Sequence, residues 1–171
     1  PTPQQNVPPA DGSGGAVITE VLDTGDKLAA VAIKNRSSGA VNINAALAHK
    51  LTPFADTDAP QVLVIHTHTT EGYMLYDAGY YNAADRDRTT DNSRNVCAAG
   101  QALVRTLQAA GIGAIQDTTV HDSPQYTGAY SRSAATVQAY LEQYPSIRVV
   151  IDLHRDAVVR GKDILKPTAT V

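Results

Sequence analysis

The feature that most constrains the fold is a run of four aliphatic residues, 62–65, which ends at a histidine. A continuous run rich in β-branched residues is typical of a strand covered on both faces, as strands of parallel sheets are. Two later segments, Ile112–Gln116 and residues 147–153, also have strand character. Strands that alternate with helical segments at this spacing predict an α/β fold with a parallel sheet.

The segments between these strands have helical periodicity. Residues 90–110 carry apolar side chains at helical spacing, and Gly111 follows where a helix commonly ends. Residues 131–144 repeat the pattern, and Pro145 lies just beyond them. We therefore predict a parallel or mostly parallel sheet flanked by helices.

The first part of the chain has a different composition. Residues 1–15 contain four prolines and three glycines and almost nothing to bury, which predicts a flexible linker or stalk ahead of a domain over residues 16–171. Apolar residues 16–21 and 28–34 flank a turn-forming segment and predict a hairpin or a pair of edge strands. Residues 42–50 have the spacing of a helix.

Charge and cysteine content exclude several classes of protein. Fourteen basic against seventeen acidic residues give a net charge of −3, so no basic surplus favours nucleic-acid binding. The longest apolar run, residues 28–33, is too short to cross a bilayer. A single cysteine, Cys97, excludes an internal disulfide framework and a cysteine-rich zinc site, and its place on an apolar helix face predicts a core residue.

Histidines follow two of the predicted strands. His68 and Glu71 come after the first, and His154 follows the third. Because the carboxyl ends of parallel strands meet at one edge of a sheet, these side chains are expected to lie close together. Zinc binds imidazole nitrogen and carboxylate oxygen, and catalytic sites use three such ligands and leave one position for water. The pattern predicts a zinc site, with ordinary polar caps on a buried strand as the alternative.

Five further residues are candidates for holding a ligand in place or contacting substrate. His66 forms an HxH pair with His68, but it is expected on the other side of the strand end. His121 and Asp122 follow the second strand and either reach the same cleft or bond to the loop backbone. Arg155 and Asp156 directly follow His154, where they bind a substrate carboxylate, orient a ligand or begin a helix.

Tyrosines are concentrated in the loop after Glu71. Such a loop would wall a groove, although tyrosines also pack on ordinary surfaces. The four residues are Tyr73, Tyr76, Tyr80 and Tyr81.

Five segments in the same order resemble the stage II sporulation protein P family, peptidoglycan hydrolases of endospore-forming bacteria. The longest and most specific motifs are HTHTTEGY and DLHRDA. The segments are VAIKNRSSGAVNI, QVLVIHTHTTEGY, NVCAAGQALVRTLQAAGI, HDSPQYTGAYSRS and YPSIRVVIDLHRDA.

This resemblance implies a fold like those of zinc-dependent N-acetylmuramoyl-L-alanine amidases and zinc carboxypeptidases, with Zn²⁺ held by His68, Glu71 and His154. The implied substrate is the amide between N-acetylmuramic acid and the L-alanine of the stem peptide in peptidoglycan, with peptide cross-links as a further one. The implied location is extracytoplasmic, membrane-anchored in the full-length protein, in the intermembrane space of the sporulating cell during engulfment. Sporulation proteins D and M are the implied partners.

The chain departs from the family pattern in two places. Gly72 stands where the family usually has serine, a minor change. No glutamate follows His154, whereas family members continue to a glutamate that resembles the catalytic base. The general base is therefore unknown and expected beyond Val171, so we expect a C-terminally truncated domain that is inactive alone. Two alternatives stay open: a non-catalytic cell-wall-binding module, and a zinc carboxypeptidase acting on stem peptides.

Overall fold

The predicted central strand lies in the middle of a three-stranded parallel sheet. The structure is a computed structural model and describes residues 7–22, 39, 42, 45, 48–50, 52–55, 57–85 and 87–169. Its helices are α1 (Val96–Ala109) and α2 (Ala129–Gln143). Its strands are β1 (Val17–Leu22), β2 (Thr57–Ile65), β3 (Ile112–Gln116), β4 (Val149–Asp152), β5 (Val158–Arg160) and β6 (Asp163–Ala169). The strand order β3-β2-β4, parallel throughout, confirms the predicted α/β sheet.

The central strand is buried on both faces, as its composition predicts. Leu63 and Val64 are fully buried. Val62 and Val64 pack in one cluster with Val104 of α1 and Ala114 of β3. Because side chains alternate along a strand, Leu63 and Ile65 face the opposite side of the sheet. This double coverage fixes β2 in place and directs its carboxyl end toward the polar residues that follow.

Local capping chemistry shifts the helix starts from the predicted positions. The Asn95 side chain accepts a hydrogen bond from the Cys97 N–H, so α1 begins at Val96 and not at residue 90. At the other end, Gly111 has φ 78°, a left-handed conformation that confirms the predicted stop. Helix α2 begins after Gly128, which also has positive φ, and it spans nearly the predicted range.

The third predicted strand is shorter and more exposed than expected. The sequence predicts a buried strand over residues 147–153, but β4 covers Val149–Asp152, and Val149 and Val150 are 38% and 40% exposed. In the described sheet β4 is an edge strand with β2 as its neighbour, so less of its surface is covered. A continuous apolar run alone does not separate a central from an edge strand.

A second, mixed sheet has the order β1-β6-β5. Strand β1 is parallel to β6, with Val17 opposite Ile164, whereas β5 and β6 are antiparallel. The β5–β6 hairpin was not predicted, because its first strand has three residues and gives no periodic signal. The second strand of the predicted N-terminal hairpin, residues 28–34, lies outside the described residues. Of the predicted helix over residues 42–50, residues 43, 44, 46 and 47 also lie outside the described residues.

The proline-rich segment makes specific contacts where it is described. The Tyr80 hydroxyl donates to the Pro8 carbonyl, and the Asn82 amide donates to the Pro9 carbonyl over 3.1 Å. Asn82 also accepts from the Asp11 N–H over 2.9 Å. The division into a linker and a domain stays a prediction. Within the described ranges, no helix is both long and apolar enough to cross a membrane.

The contact between α1 and the end of β2 yields a stability prediction. A Cβ on Gly100 would lie 2.5 Å from Gln116 Nε2 and 2.7 Å from His66 Nε2. Alanine normally stabilises a helix interior by about 1 kcal/mol over glycine, but overpacking costs about 1–3 kcal/mol. We expect Gly100→Ala to lower the free energy of unfolding, measured by urea titration.

The matched control is Gly79→Ala, because a Cβ there would meet no atom within 4 Å. Its unfolding free energy should change by less than about 0.5 kcal/mol. A Gly100→Ala variant more stable than the wild-type chain would contradict the close packing of α1 against His66.

Candidate metal centre

The carboxyl ends of β2 and β4 bring the three predicted ligands together. His154 Nδ1 lies 3.5 Å from Glu71 Oε2, and the ring centroids of His68 and His154 are 5.3 Å apart. His68 and Glu71 are 8% and 6% exposed, so two of the three are taken out of water. Because β2 and β4 end at the same edge of the sheet, they bring side by side two residues that are 86 positions apart in the sequence (154 − 68).

Glu71 is held by the backbone on two sides. The Arg155 N–H donates a 2.9 Å hydrogen bond to Glu71 Oε2. The Glu71 carbonyl accepts from the Val96 N–H at the start of α1, and its N–H donates to the His68 carbonyl. The carboxylate position is therefore set by the β2–α1 connection and by the residue that follows His154.

His154 is oriented by a carboxylate from its own strand. Asp152 Oδ2 lies 3.0 Å from His154 Nε2, and Asp152 also accepts hydrogen bonds from the Thr67 N–H and hydroxyl. Burial raises the pKa of Asp152, but the hydrogen bonds from Thr67 and His154 outweigh burial and hold this pKa below its ordinary value. When His154 is neutral and carries its proton on Nε2, where Asp152 accepts it, Nδ1 is an acceptor toward Glu71. Two acceptors that face each other at 3.5 Å are stabilised by a shared cation.

His68 has an atom that needs a partner. Its Nδ1 is buried and makes no hydrogen bond to any described residue, and the nearest carboxylate oxygen among these residues, Asp122 Oδ2, is 4.0 Å away. Its Nε2 lies 3.1 Å from the Tyr126 hydroxyl, and the two rings stack with centroids 4.6 Å apart. A buried polar atom without a partner destabilises the fold by about 1–3 kcal/mol and calls for an explanation, such as an ion.

The chemistry of the three candidate side chains suits zinc, and the separation of two of them does as well. Ligands of a tetrahedral zinc at about 2.0–2.1 Å are about 3.4 Å from each other, close to the Glu71–His154 separation of 3.5 Å. As they stand, no three His, Cys, Asp or Glu side chains in the described parts of the chain are arranged to hold a metal ion. His68 is the ligand that has to move closer, and its Nδ1 is the unpartnered atom.

His66 and His121 lie beneath the centre and use both of their ring nitrogens. His66 is fully buried, with Nδ1 3.0 Å from the Leu153 carbonyl and Nε2 2.9 Å from the Gln116 amide nitrogen. Burial lowers the pKa of His66, so the ring is neutral at pH 7. His121 Nδ1 bonds the His66 carbonyl, and Nε2 lies 2.9 Å from the Thr136 hydroxyl. Both histidines support the strand ends.

Asp122 pairs with Arg88, an arginine that lies in no sequence motif. Its carboxylate is fully buried and accepts from Arg88 Nη1 over 2.7 Å. It also accepts from the Thr70 hydroxyl and N–H. The Arg88 guanidinium lies 4.0 Å from Glu71 Oε1 and 5.0 Å from the centre of the Tyr126 ring. No motif surrounds Arg88, so its place here follows from the fold alone.

Arg155, Asp156 and Cys97 have local partners. The guanidinium of Arg155 donates to the carbonyls of Gly72 and Asp87, so it is hydrogen-bonded within the protein. Asp156 Oδ1 accepts from the N–H of the next residue. Cys97 is 3% exposed, which confirms the predicted core position, and burial raises the pKa of its thiol to about 11.

Comparison with known proteins identifies the family. The model of stage II sporulation protein P matches residues 18–171, most of the chain. The chain belongs to the stage II sporulation protein P family. Membership implies a role in sporulation, in engulfment. No match was found among curated proteins or among solved structures.

In this member of the stage II sporulation protein P family, two exposed tyrosines flank the candidate centre on one side. Tyr126 and Tyr130 are 54% and 64% exposed. Tyr130 contacts the His68 ring edge-on, and its centroid lies 6.4 Å from that of His154. Both lie in the family-like segment HDSPQYTGAYSRS, where no sequence pattern indicates a role for them.

A cavity of about 700 Å³ adjoins residues that are next to the candidate ligands in the chain. Gly72 and Arg155, which follow Glu71 and His154 in the chain, form part of its wall. The three candidate ligands themselves do not line it. Three of the four tyrosines expected to wall a groove do line it, namely Tyr73, Tyr76 and Tyr81.

The Arg88–Asp122 pair yields a prediction for a double-mutant cycle. Arg88→Met leaves the buried Asp122 carboxylate without its cation and should lower the free energy of unfolding by about 2 kcal/mol, because the arginine is partly exposed. Adding Asp122→Asn removes the uncompensated charge and should recover about half of that loss. The measurement is urea unfolding of the wild-type chain, both single variants and the double variant. Strictly additive effects would show that the two side chains are not coupled.

Proposed function

We propose that this chain is the zinc-binding part of an enzyme that cleaves the N-acetylmuramoyl-L-alanine amide of peptidoglycan during engulfment. The observation that carries the proposal is the juxtaposition of His154 Nδ1 and Glu71 Oε2 beside the unpartnered Nδ1 of His68. Membership of the stage II sporulation protein P family supports the setting. The family resemblance extends the proposal to cleavage of peptide cross-links.

In this proposal His68, Glu71 and His154 hold the zinc ion. A bound zinc ion polarises an amide carbonyl and lowers the pKa of a bound water. The chain supplies the rigidity of the site: Asp152 keeps the proton on His154 Nε2, and the Arg155 N–H fixes the Glu71 carboxylate. Tyr126 stacks on the ring of His68, the ligand that has to move toward the other two.

The general base is a separate part of the proposal. Each described carboxylate at the centre has a partner: Glu71 has the Arg155 N–H, Asp122 has Arg88, and Asp152 has Thr67. None of them is placed as a free base, so we propose that the expected glutamate beyond Val171 performs that step. Zinc binding and catalysis are then separable in experiments.

Location and partners are proposed from the family. We place the protein outside the cytoplasm, anchored ahead of this chain, in the space between the two membranes of the sporulating cell. Its ligands there are glycan strands and stem peptides, and its partners are sporulation proteins D and M. The net charge of −3 fits a protein without nucleic-acid partners.

Zinc stoichiometry is the direct test of the centre. We expect about one zinc per chain by elemental mass spectrometry and a loss of zinc in His68→Ala and in His154→Ala, because each removes one of three ligands. His49→Ala is the matched control, since that histidine is exposed and distant in sequence from the centre. A folded wild-type chain that binds no zinc would contradict the proposed ligand set.

Product analysis tests the reaction. Purified peptidoglycan is digested with the longer protein that carries the expected glutamate, and with this chain alone. We expect the longer protein to release peptides with a new L-alanine amino terminus and this chain to release at least about 100-fold fewer, since general acid–base catalysis contributes 10²–10⁴-fold. The longer protein with the substitution His154→Ala is the inactive control.

Other products would support the alternatives. Single amino acids released from stem peptides would favour a carboxypeptidase. Retention of intact peptidoglycan without any cleavage by the longer protein would favour a binding module. Equal turnover by the short and long proteins would contradict the role of the external base.

A further inference from the structure

We propose that the substrate binds across the candidate centre in one orientation. Its sugar lies beside Tyr126 and Tyr130, and its stem peptide lies in the cavity beside Gly72. This inference rests on the proposed amide cleavage, which places an amide between a sugar and a peptide at the centre. The two sides of the centre differ in chemistry, and that difference assigns the two halves of the substrate.

The tyrosine side suits a sugar ring. Tyr130 is 64% exposed and lies next to both His68 and His154. The apolar C–H face of a pyranose packs against an exposed aromatic face, while its hydroxyls stay in water. Tyr126 is already engaged, since His68 stacks on its ring and Arg88 lies 5.0 Å from its centroid. Tyr130 is therefore the ring available for stacking, and Tyr126 supports it.

The cavity side suits a short peptide. Its volume of about 700 Å³ falls within the range typical of ligand sites, about 300–1,000 Å³. Its apolar wall includes Met74, Val159 and Leu165, which can accept alanine methyl groups. Asp87 and Asp156 line it together with Arg155 and Lys166, so its wall carries charges of both signs, which suits a stem peptide that has both carboxylates and an amino group.

The cavity adjoins the centre at two residues. Gly72 and Arg155 line the cavity and are bonded covalently to Glu71 and to His154, respectively. The Arg155 side chain donates to the Gly72 carbonyl, so these two wall residues are tied together. In the proposed orientation, a peptide whose first amide lies at the centre passes over this pair into the cavity. A glycan strand continues in both directions and needs an open surface, which the exposed tyrosines provide.

Two probes without the scissile amide separate the two sides. One is the disaccharide of N-acetylglucosamine and N-acetylmuramic acid, and the other is the tripeptide L-alanyl-γ-D-glutamyl-L-lysine. Dissociation constants are measured by NMR titration of this chain in zinc-containing buffer. The variants are Tyr130→Ala and Val159→Arg, with Tyr130→Phe and Val159→Leu as matched controls that keep the aromatic ring and the apolar wall.

We expect Tyr130→Ala to weaken disaccharide binding about tenfold and leave tripeptide binding unchanged. Val159→Arg should weaken tripeptide binding about tenfold, through bulk and like charge, and leave disaccharide binding unchanged. Each variant's unaffected probe shows that it is folded. Reversed effects, or equal binding by all variants, would overturn the proposed orientation while the proposed function stands. A wild-type chain that binds neither probe would overturn both.

Discussion

Six consecutive polar residues, 66–71, are buried at the end of the central strand, and this constraint organises the rest of the site. Buried polar groups destabilise a fold unless they are hydrogen-bonded, so partners must converge on this segment from other elements. Asp152 arrives from β4, Asp122 from the loop after β3, and Gln116 from β3 itself. The elements around the centre are therefore arranged so that they supply hydrogen-bond partners to these buried groups.

One atom in the segment is left over. The Thr67 and Thr70 hydroxyls, the His66 ring and the Glu71 carboxylate all have partners, whereas His68 Nδ1 has none. Within the described part of the chain, this nitrogen is therefore the one available to the proposed ligand. The same residue lies beside two others whose chemistry suits zinc, and the proposal of a metal centre draws on both observations as well as on the HxxE spacing.

The sequence predicted those parts of the structure that depend on local pattern. The aliphatic run in β2 was found because burial on both faces leaves a continuous apolar signal. The start of α1 was misplaced because Asn95 caps it, and the exposure of β4 was missed because edge position is a property of the sheet. Arg88 could not be found, since it lies 34 residues from Asp122 in a loop without periodicity. Long-range partners of this kind leave no trace in a single sequence.

The second sheet forms part of the wall of the cavity beside the centre. Strands β5 and β6 contribute Val158, Val159, Ile164 and Leu165 to the cavity wall, while the first sheet holds the candidate ligands. The two meet at Arg155, whose N–H bonds the Glu71 carboxylate and whose guanidinium bonds the Gly72 carbonyl. A shift of β5 relative to β4 would therefore be transmitted to Glu71 through one residue. The position of the cavity and the position of a candidate ligand are thus linked by the same backbone segment.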